Sequence, residues 1–273
     1  MQERSIEMMR DLGVQLYSLR EESEKDFLGA LKFVADTGYK AVEPAGLYGL
    51  APKEFKKACD DLGLRIASSH GLGLGSVADV PRVVDMLGEL GLKVAIVSFR
   101  APAFADLDAI KSTAEKANEL QAALARQGIT FVQHNHFFEF DRLDGELKYD
   151  IYARLCPNVK FQLDTFWAGN FGAEDPAEMV RRFASRTVSI HLKDGTYESD
   201  RAKWKTVNGK VDRDLKLRPL GTGSMDIPAV VAAAPETVDT LIVELDYCVI
   251  DMREALKQSY AYLTENRLGV GSK

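Results

Sequence analysis

Residues 131–140 read FVQHNHFFEF, so His134, His136 and Glu139 fall within six positions of a chain that has only four histidines. A histidine can ligate a metal, move a proton, or sit hydrogen-bonded in a polar core. The other two are in similar company: His70 ends RIASSH, and His191 lies in VSIHLKD beside Lys193. Carboxylates close comparable runs, with Glu43 in KAVEPA, Asp164 in VKFQLD, and Glu244 and Asp246 in LIVELD. GVQLYS and VAIVSF complete the set and lead to Gln15, Tyr17, Ser98 and Arg100. Short runs rich in β-branched and apolar residues are the mark of buried strands. Side chains two apart on a strand share a face. All four histidines therefore gather at strand C-termini, while the opposite strand ends are mostly apolar.

Elements that could bring these ends together follow from the periodicity. The strand runs alternate with amphipathic segments at 27–36, 52–62, 80–90, 107–126, 176–184, 227–233 and 252–263, and YDIYARL (149–155) supplies a shorter helix. Eight strand–helix units in 273 residues imply parallel pairing and predict a single α/β domain over 1–273, a (β/α)8 TIM barrel. An open doubly wound sheet lacks support, because no Gly-rich turn follows the first strand. Pro52, Pro176 and Pro228 stand where first-turn prolines belong, and Gly38, Gly63, Gly91 and Gly128 just past helix ends. One long charged stretch, 195–224, reads as an insertion after the seventh strand. At its end LGTGSMDI resembles a phosphate loop, although its glycines would also shape the entry to the next helix, with Asp226 as N-cap.

In such a barrel the C-terminal strand ends form the active site. Carboxylates crowded there need protons, basic partners or a cation. Lys193 and Arg100 offer part of the balance. Asp164, His191 and Glu244, from three different strands, make a mixed oxygen and nitrogen set suited to a divalent ion. A salt-bridged barrel mouth without metal is the other outcome. His70 alone reads as a structural or substrate-contacting histidine. Trp167, just past Asp164, suits either packing or the apolar face of a sugar.

Composition narrows the partners. A net charge of −6 disfavours nucleic acid. No stretch approaches the roughly 20 apolar residues of a membrane helix. Three scattered cysteines and a charged N-terminus without a secretory signal lead us to expect a reduced, cytoplasmic protein.

AVEPAG, SSHG, HNHFFEF, FQLDTFW, IHLKD, LGTGSMDI and IVELD, in that order, give the chain its likeness to a known family. It resembles the sugar phosphate isomerase/epimerase-like proteins with a xylose isomerase-like TIM barrel, over essentially its full length. The resemblance implies a divalent ion, Mn²⁺ first and Mg²⁺, Co²⁺ or Zn²⁺ as alternatives, held by Glu, Asp, His and Glu from the last four strands. Asp164, His191 and Glu244 match three of these. Where the family's epimerases carry the first glutamate this chain has His134, so Glu139 is the expected fourth ligand, with His134 or His136 as the alternatives.

The implied activity is isomerisation or epimerisation of a ketose or keto-sugar through an enediolate. Glu244 and either Glu139 or His136 would move the proton, and Lys193 or His70 would stabilise the enediolate. His70, His134, Glu43, Trp167 and Arg100 are the expected substrate contacts. A dehydratase or lyase acting on a keto-inositol or 3-keto-glycoside is the alternative, and a non-catalytic sugar-binding barrel is a third. Family members often assemble into homo-oligomers, although the sequence shows no interface signature.

Overall fold

A computed structural model describes residues 9–208 and 210–273. Its main sheet contains eight parallel strands: β1 Asp11–Gln15, β2 Ala41–Glu43, β3 Arg65–Ile66, β4 Val94–Ser98, β5 Thr130–His134, β6 Lys160–Asp164, β7 Thr187–Leu192 and β8 Thr240–Val243. They pair in the order β3-β2-β1-β8-β7-β6-β5-β4, so the sheet curls round until its first and last strands pair. Among the described residues no ladder joins β3 to β4. β3 spans two residues before the chain leaves into the glycine-rich loop GLGLGS, and Gly supplies no side chain to pack a strand.

The helices are α1 Arg20–Thr37, α2 Pro52–Asp61, α3 Val80–Leu90, α4 Leu107–Ala125, α5 Lys148–Leu155, α6 Pro176–Phe183, α7 Ile227–Ala233 and α8 Met252–Glu265. One follows each strand, the predicted alternation. In α3 the buried residues Val80, Val83, Leu87 and Leu90 recur on one face, the stripe that binds a helix to a sheet. The helix stops at Gly91, whose left-handed φ of 75° lets its N–H reach back to Leu87 and Gly88. Asp226 caps α7, accepting from the Ala229 N–H at 3.0 Å.

The insertion after β7 is more ordered than its composition implies. It holds two short antiparallel hairpins, Asp194–Thr196 with Lys216–Arg218 and Lys205–Val207 with Lys210–Asp212. Arg213 lies over the rings of Phe137, Phe171 and Trp204 at 4.4 to 4.8 Å, contacts that add cation–π attraction to the packing. The insertion therefore leans on aromatics beside the C-terminal strand ends. No helix of the described residues is long and apolar enough to cross a membrane.

Candidate active site

Asp164, the last residue of β6, is fully buried. Its Oδ1 accepts the Trp167 N–H at 3.0 Å and so caps the helical turn Thr165–Ala168. Asn135 clamps this strand end to that of β5, accepting from the Asp164 N–H at 3.0 Å and donating to its carbonyl at 3.1 Å. Asp164 Oδ2 has no hydrogen-bond partner, although Lys193 Nζ is 2.9 Å away outside hydrogen-bonding angles.

His191 on β7 lies between two carboxylates, Nδ1 at 2.9 Å from Glu244 and Nε2 at 2.6 Å from Glu43. Burial favours the neutral ring, but the charges of Glu43 and Glu244 outweigh it and hold the pKa at about 10. Glu43 is itself opposed by burial, yet His191 and His70 pull it down to about 2.

Gln162 organises His134, which is buried, and His70, which is partly so. Glu43 can only accept, so the amide nitrogen of Gln162 faces it at 2.7 Å. Its oxygen then faces His70 Nε2 at 2.7 Å and His134 Nδ1 at 3.0 Å. Both histidines donate to that oxygen, which leaves His134 Nε2 as a free lone pair. Burial and the neighbouring His191 charge hold His134 well below the ordinary histidine range, so it is a neutral donor atom ready for a cation.

Lys193 is wholly buried, with Nζ at 2.9 Å from Asp164, 3.2 Å from Glu244 and 2.6 Å from Asp246. Burial works against its charge, but the three carboxylates prevail and hold its pKa well above the usual lysine value. Lys193 in turn is the main influence keeping Glu244 ionised against burial. The face of Trp167 covers the ammonium at 4.9 Å.

Ligand atoms of His134, Asp164, His191 and Glu244 all lie within 4.8 Å of one another, and all four residues are buried. Two imidazoles and two carboxylates form a donor set suited to a divalent ion once His191 releases the Nδ1 proton it shares with Glu244. The surroundings fit as well: Glu43 backs His191 Nε2 and Gln162 backs His134 Nδ1, the outer hydrogen bonds that orient metal-binding histidines. Asp164 Oδ2 makes no hydrogen bond and is held only by its ion pair with Lys193. A pocket of about 200 Å³ opens over this group, lined by His70, His134, His136, Trp167, Lys193 and Glu244 among others.

Three expected residues lie elsewhere. Glu139 is outside the four-residue cluster. β5 ends at His134 and the chain turns into a 3-10 turn, Phe138–Phe140, which folds Glu139 back to accept the His136 N–H at 3.0 Å. There it meets Gln133 at 3.3 Å, and Gln133 takes the Tyr149 hydroxyl at 2.6 Å. Gln133 and His134 are neighbours on a strand and point to opposite faces, so Glu139 is on the helix side of β5. Burial there pushes its pKa up to about 8. Glu43 does not line the pocket; it is fully buried behind His191. Arg100 lines an adjoining cavity instead.

The phosphate-like loop is already filled. Asp194 accepts backbone N–H groups from Gly195, Gly221, Gly223 and Met225 at 2.8 to 3.1 Å. A Cβ at Gly223 would lie 2.1 Å from Asp194 Oδ1, so the glycine is there to admit the chain's own carboxylate. Sequence reasoning gave Gln162, Asn135 and Asp194 no role. Gln162 was the accessible one, since it shares a strand face with Asp164.

An eight-stranded parallel α/β barrel with a polar site at its C-terminal strand ends is the class that fold and site define. The chain belongs to the xylose isomerase-like TIM barrel family, which it matches over residues 31–265. Among solved structures it is similar to a sugar phosphate isomerase/epimerase from Parabacteroides distasonis, with a TM-score of 0.72, 23% identity and 97% of each chain covered. It also resembles a probable 3-DHS dehydratase from Bacillus anthracis, with a TM-score of 0.70, 12% identity, and 93% of this chain and 98% of that one covered. A D-allulose 3-epimerase from Methylomonas sp., solved with D-allulose, gives a TM-score of 0.66 at 17% identity, covering 95% and 98%. No curated protein matches the chain.

Proposed function

We propose that the protein is a divalent-metal-dependent isomerase or epimerase acting on a ketose or keto-sugar through an enediolate. The carrying observation is the convergence of His134, Asp164, His191 and Glu244 under a pocket that also presents His136 and Lys193. Those four residues would hold the ion, Mn²⁺ first, and a bound ion polarises a carbonyl and acidifies the adjacent C–H.

The chain's own residues supply the rest. Glu244, kept ionised, accepts a proton at its carboxylate. His136 is the second proton carrier: burial lowers its pKa, so it is neutral, and it lines the pocket. Glu139 is left out of this role because it is buried away from the pocket. Lys193, charged and within the pocket lining, steadies the developing enediolate oxygen. Trp167 walls the sugar and screens the ammonium from water. Neutral His136 takes the hydrogen on one face and Glu244, after picking up a proton from solvent, returns one on the other, which inverts a carbinol centre. The similar D-allulose epimerase, solved with its sugar, supports a keto-sugar substrate.

The same geometry also serves elimination, since His136, having taken the C–H proton as a neutral base, can pass it to a leaving oxygen; a dehydratase or lyase is the second reading. The test is incubation of the Mn²⁺-loaded protein with keto-sugars in deuterated water. Deuterium appearing beside the carbonyl of a stereoisomeric product is expected, with a loss of about 100-fold or more in Glu244→Gln. A dehydrated or cleaved product establishes the second reading. Sugar binding without exchange in either protein refutes both and leaves a binding barrel.

A further inference from the structure

Beyond the inner pocket lies a cavity of about 400 Å³ lined by Ser98, Phe99, Arg100, Ala101, His136 and Phe138. Ser98 and His136 line both spaces, so the two adjoin. The inner space is smaller than the roughly 300 to 1,000 Å³ typical of small-molecule sites, and the outer one falls within that range. A substrate held only by the inner pocket would leave the larger part of the site unused.

The outer cavity is built from anchored side chains. β4 ends at Ser98, and Arg100 occupies the N-cap position of the 3-10 turn Ala101–Phe104 that follows, with its side chain free of that turn. Phe99 packs edge-on against Tyr152 at 6.3 Å. Phe138 stacks on His136 at 5.3 Å and meets Phe104 at 6.1 Å. Arg100 is exposed on the same lining, and none of the ion pairs or side-chain hydrogen bonds among the described residues uses its guanidinium.

The charges of the two spaces differ in kind. In the inner pocket Glu244 and Asp246 are matched by Lys193. The outer cavity has a cation and no carboxylate among its lining residues. The loop that looked fit for a phosphate is closed by Asp194, which leaves Arg100 as the unmatched cation facing the substrate space. A guanidinium presents paired N–H groups that match a carboxylate or phosphate.

We infer that this cavity is a second subsite, in which Arg100 binds an anionic substituent of the substrate, carboxylate or phosphate, on the part of the sugar remote from the reacting carbonyl. The inference rests on the keto-sugar reading of the inner pocket and narrows it to sugar acids or sugar phosphates. Phe99 and Phe138 flank the intervening carbons, and His136 stands where the two spaces meet.

The test is calorimetric titration of the Mn²⁺-loaded protein with D-fructose, D-fructuronate and D-fructose 6-phosphate, repeated with Arg100→Ala and Arg100→Lys. The expected result is about tenfold or greater preference for at least one anionic probe over D-fructose, a charge-assisted contact. Arg100→Ala should abolish the preference without changing D-fructose affinity, and Arg100→Lys should keep part of it. Whichever anionic probe gains more identifies the group. Equal affinity for neutral and anionic probes, no binding of either anionic probe, or a preference that survives Arg100→Ala overturns the subsite. Hydrogen exchange on D-fructose then shows separately whether the keto-sugar reading stands.

Discussion

Replacing Glu139 by glutamine separates a buried neutral acid from a metal-ligating carboxylate. Glu139 is fully buried, accepts one backbone N–H and one amide N–H, and has its pKa raised by burial from 4.5 to about 8. In the unfolded chain the group ionises near 4.5, while in the fold it keeps its proton until about 8. The folded state therefore holds more protons across that window, and its stability must fall as pH rises through it. The benefit of a raised pKa is complete below 4.5 and gone above about 8. The interval corresponds to on the order of 5 kcal/mol. Glutamine has the shape of the protonated acid and does not titrate. The assay is urea unfolding of both proteins in chelator across the range from about pH 5 to about pH 9. Near pH 5 the two midpoints should nearly coincide. Towards pH 9 the variant should be more stable by a few kcal/mol, other titrating groups cancelling in the difference. A difference that stays constant with pH refutes the reasoning. So does a wild type that gains on the variant as pH rises, because Glu139 would then be ionised in the fold, as a ligand must be.

Lys193→Met leaves Asp164, Glu244 and Asp246 facing one another without their cation; a loss of about 3 to 5 kcal/mol in metal-free protein is expected from urea midpoints. Added Mn²⁺ should raise the midpoint more in the variant than in the wild type, and an unchanged midpoint would mean that the carboxylates are protonated instead. Asp194→Ala removes the acceptor of four backbone N–H groups. It should cost about 3 kcal/mol and speed proteolytic cleavage within 195–224; cleavage at the wild-type rate would show that the loop holds itself.

Most of the barrel was legible because strand and helix periods are local. All eight strands and the helices between them overlap the runs the hydrophobic pattern marks, although α1 starts at Arg20 instead of 27 and β3 stops at Ile66, and Asp226 and Gly91 act as the caps they resemble. The site was legible to the extent that strand alternation reaches. Asp164, His191 and Glu244 converge because each ends a strand of one sheet. Glu139 was not, because whether a residue five positions past His134 returns to the pocket depends on the turn at 138–140, which spacing does not encode. The filled phosphate-like loop was hidden for a related reason. Asp194 and Gly223 are 29 residues apart, and only the folded hairpins show that the anion belongs to the chain itself.

His134 in place of a carboxylate has a consequence for the ion. The cluster offers two imidazole nitrogens and two carboxylate oxygens, one negative charge fewer than a three-carboxylate, one-histidine set. Hard Mg²⁺ gains most from oxygen donors and charge, whereas Mn²⁺, Co²⁺ and Zn²⁺ gain progressively from imidazole. Gln162 reinforces this by fixing the His134 tautomer that presents Nε2. Titrations of chelator-treated protein should therefore give Mn²⁺ and Co²⁺ affinities at least about tenfold above that of Mg²⁺. His134→Asp should narrow the gap by weakening Co²⁺ and favouring Mg²⁺, while Glu139→Gln should leave both unchanged. A gap that ignores His134 but collapses in Glu139→Gln would return the fourth ligand to Glu139, and would require the turn at 138–140 to open when the ion binds.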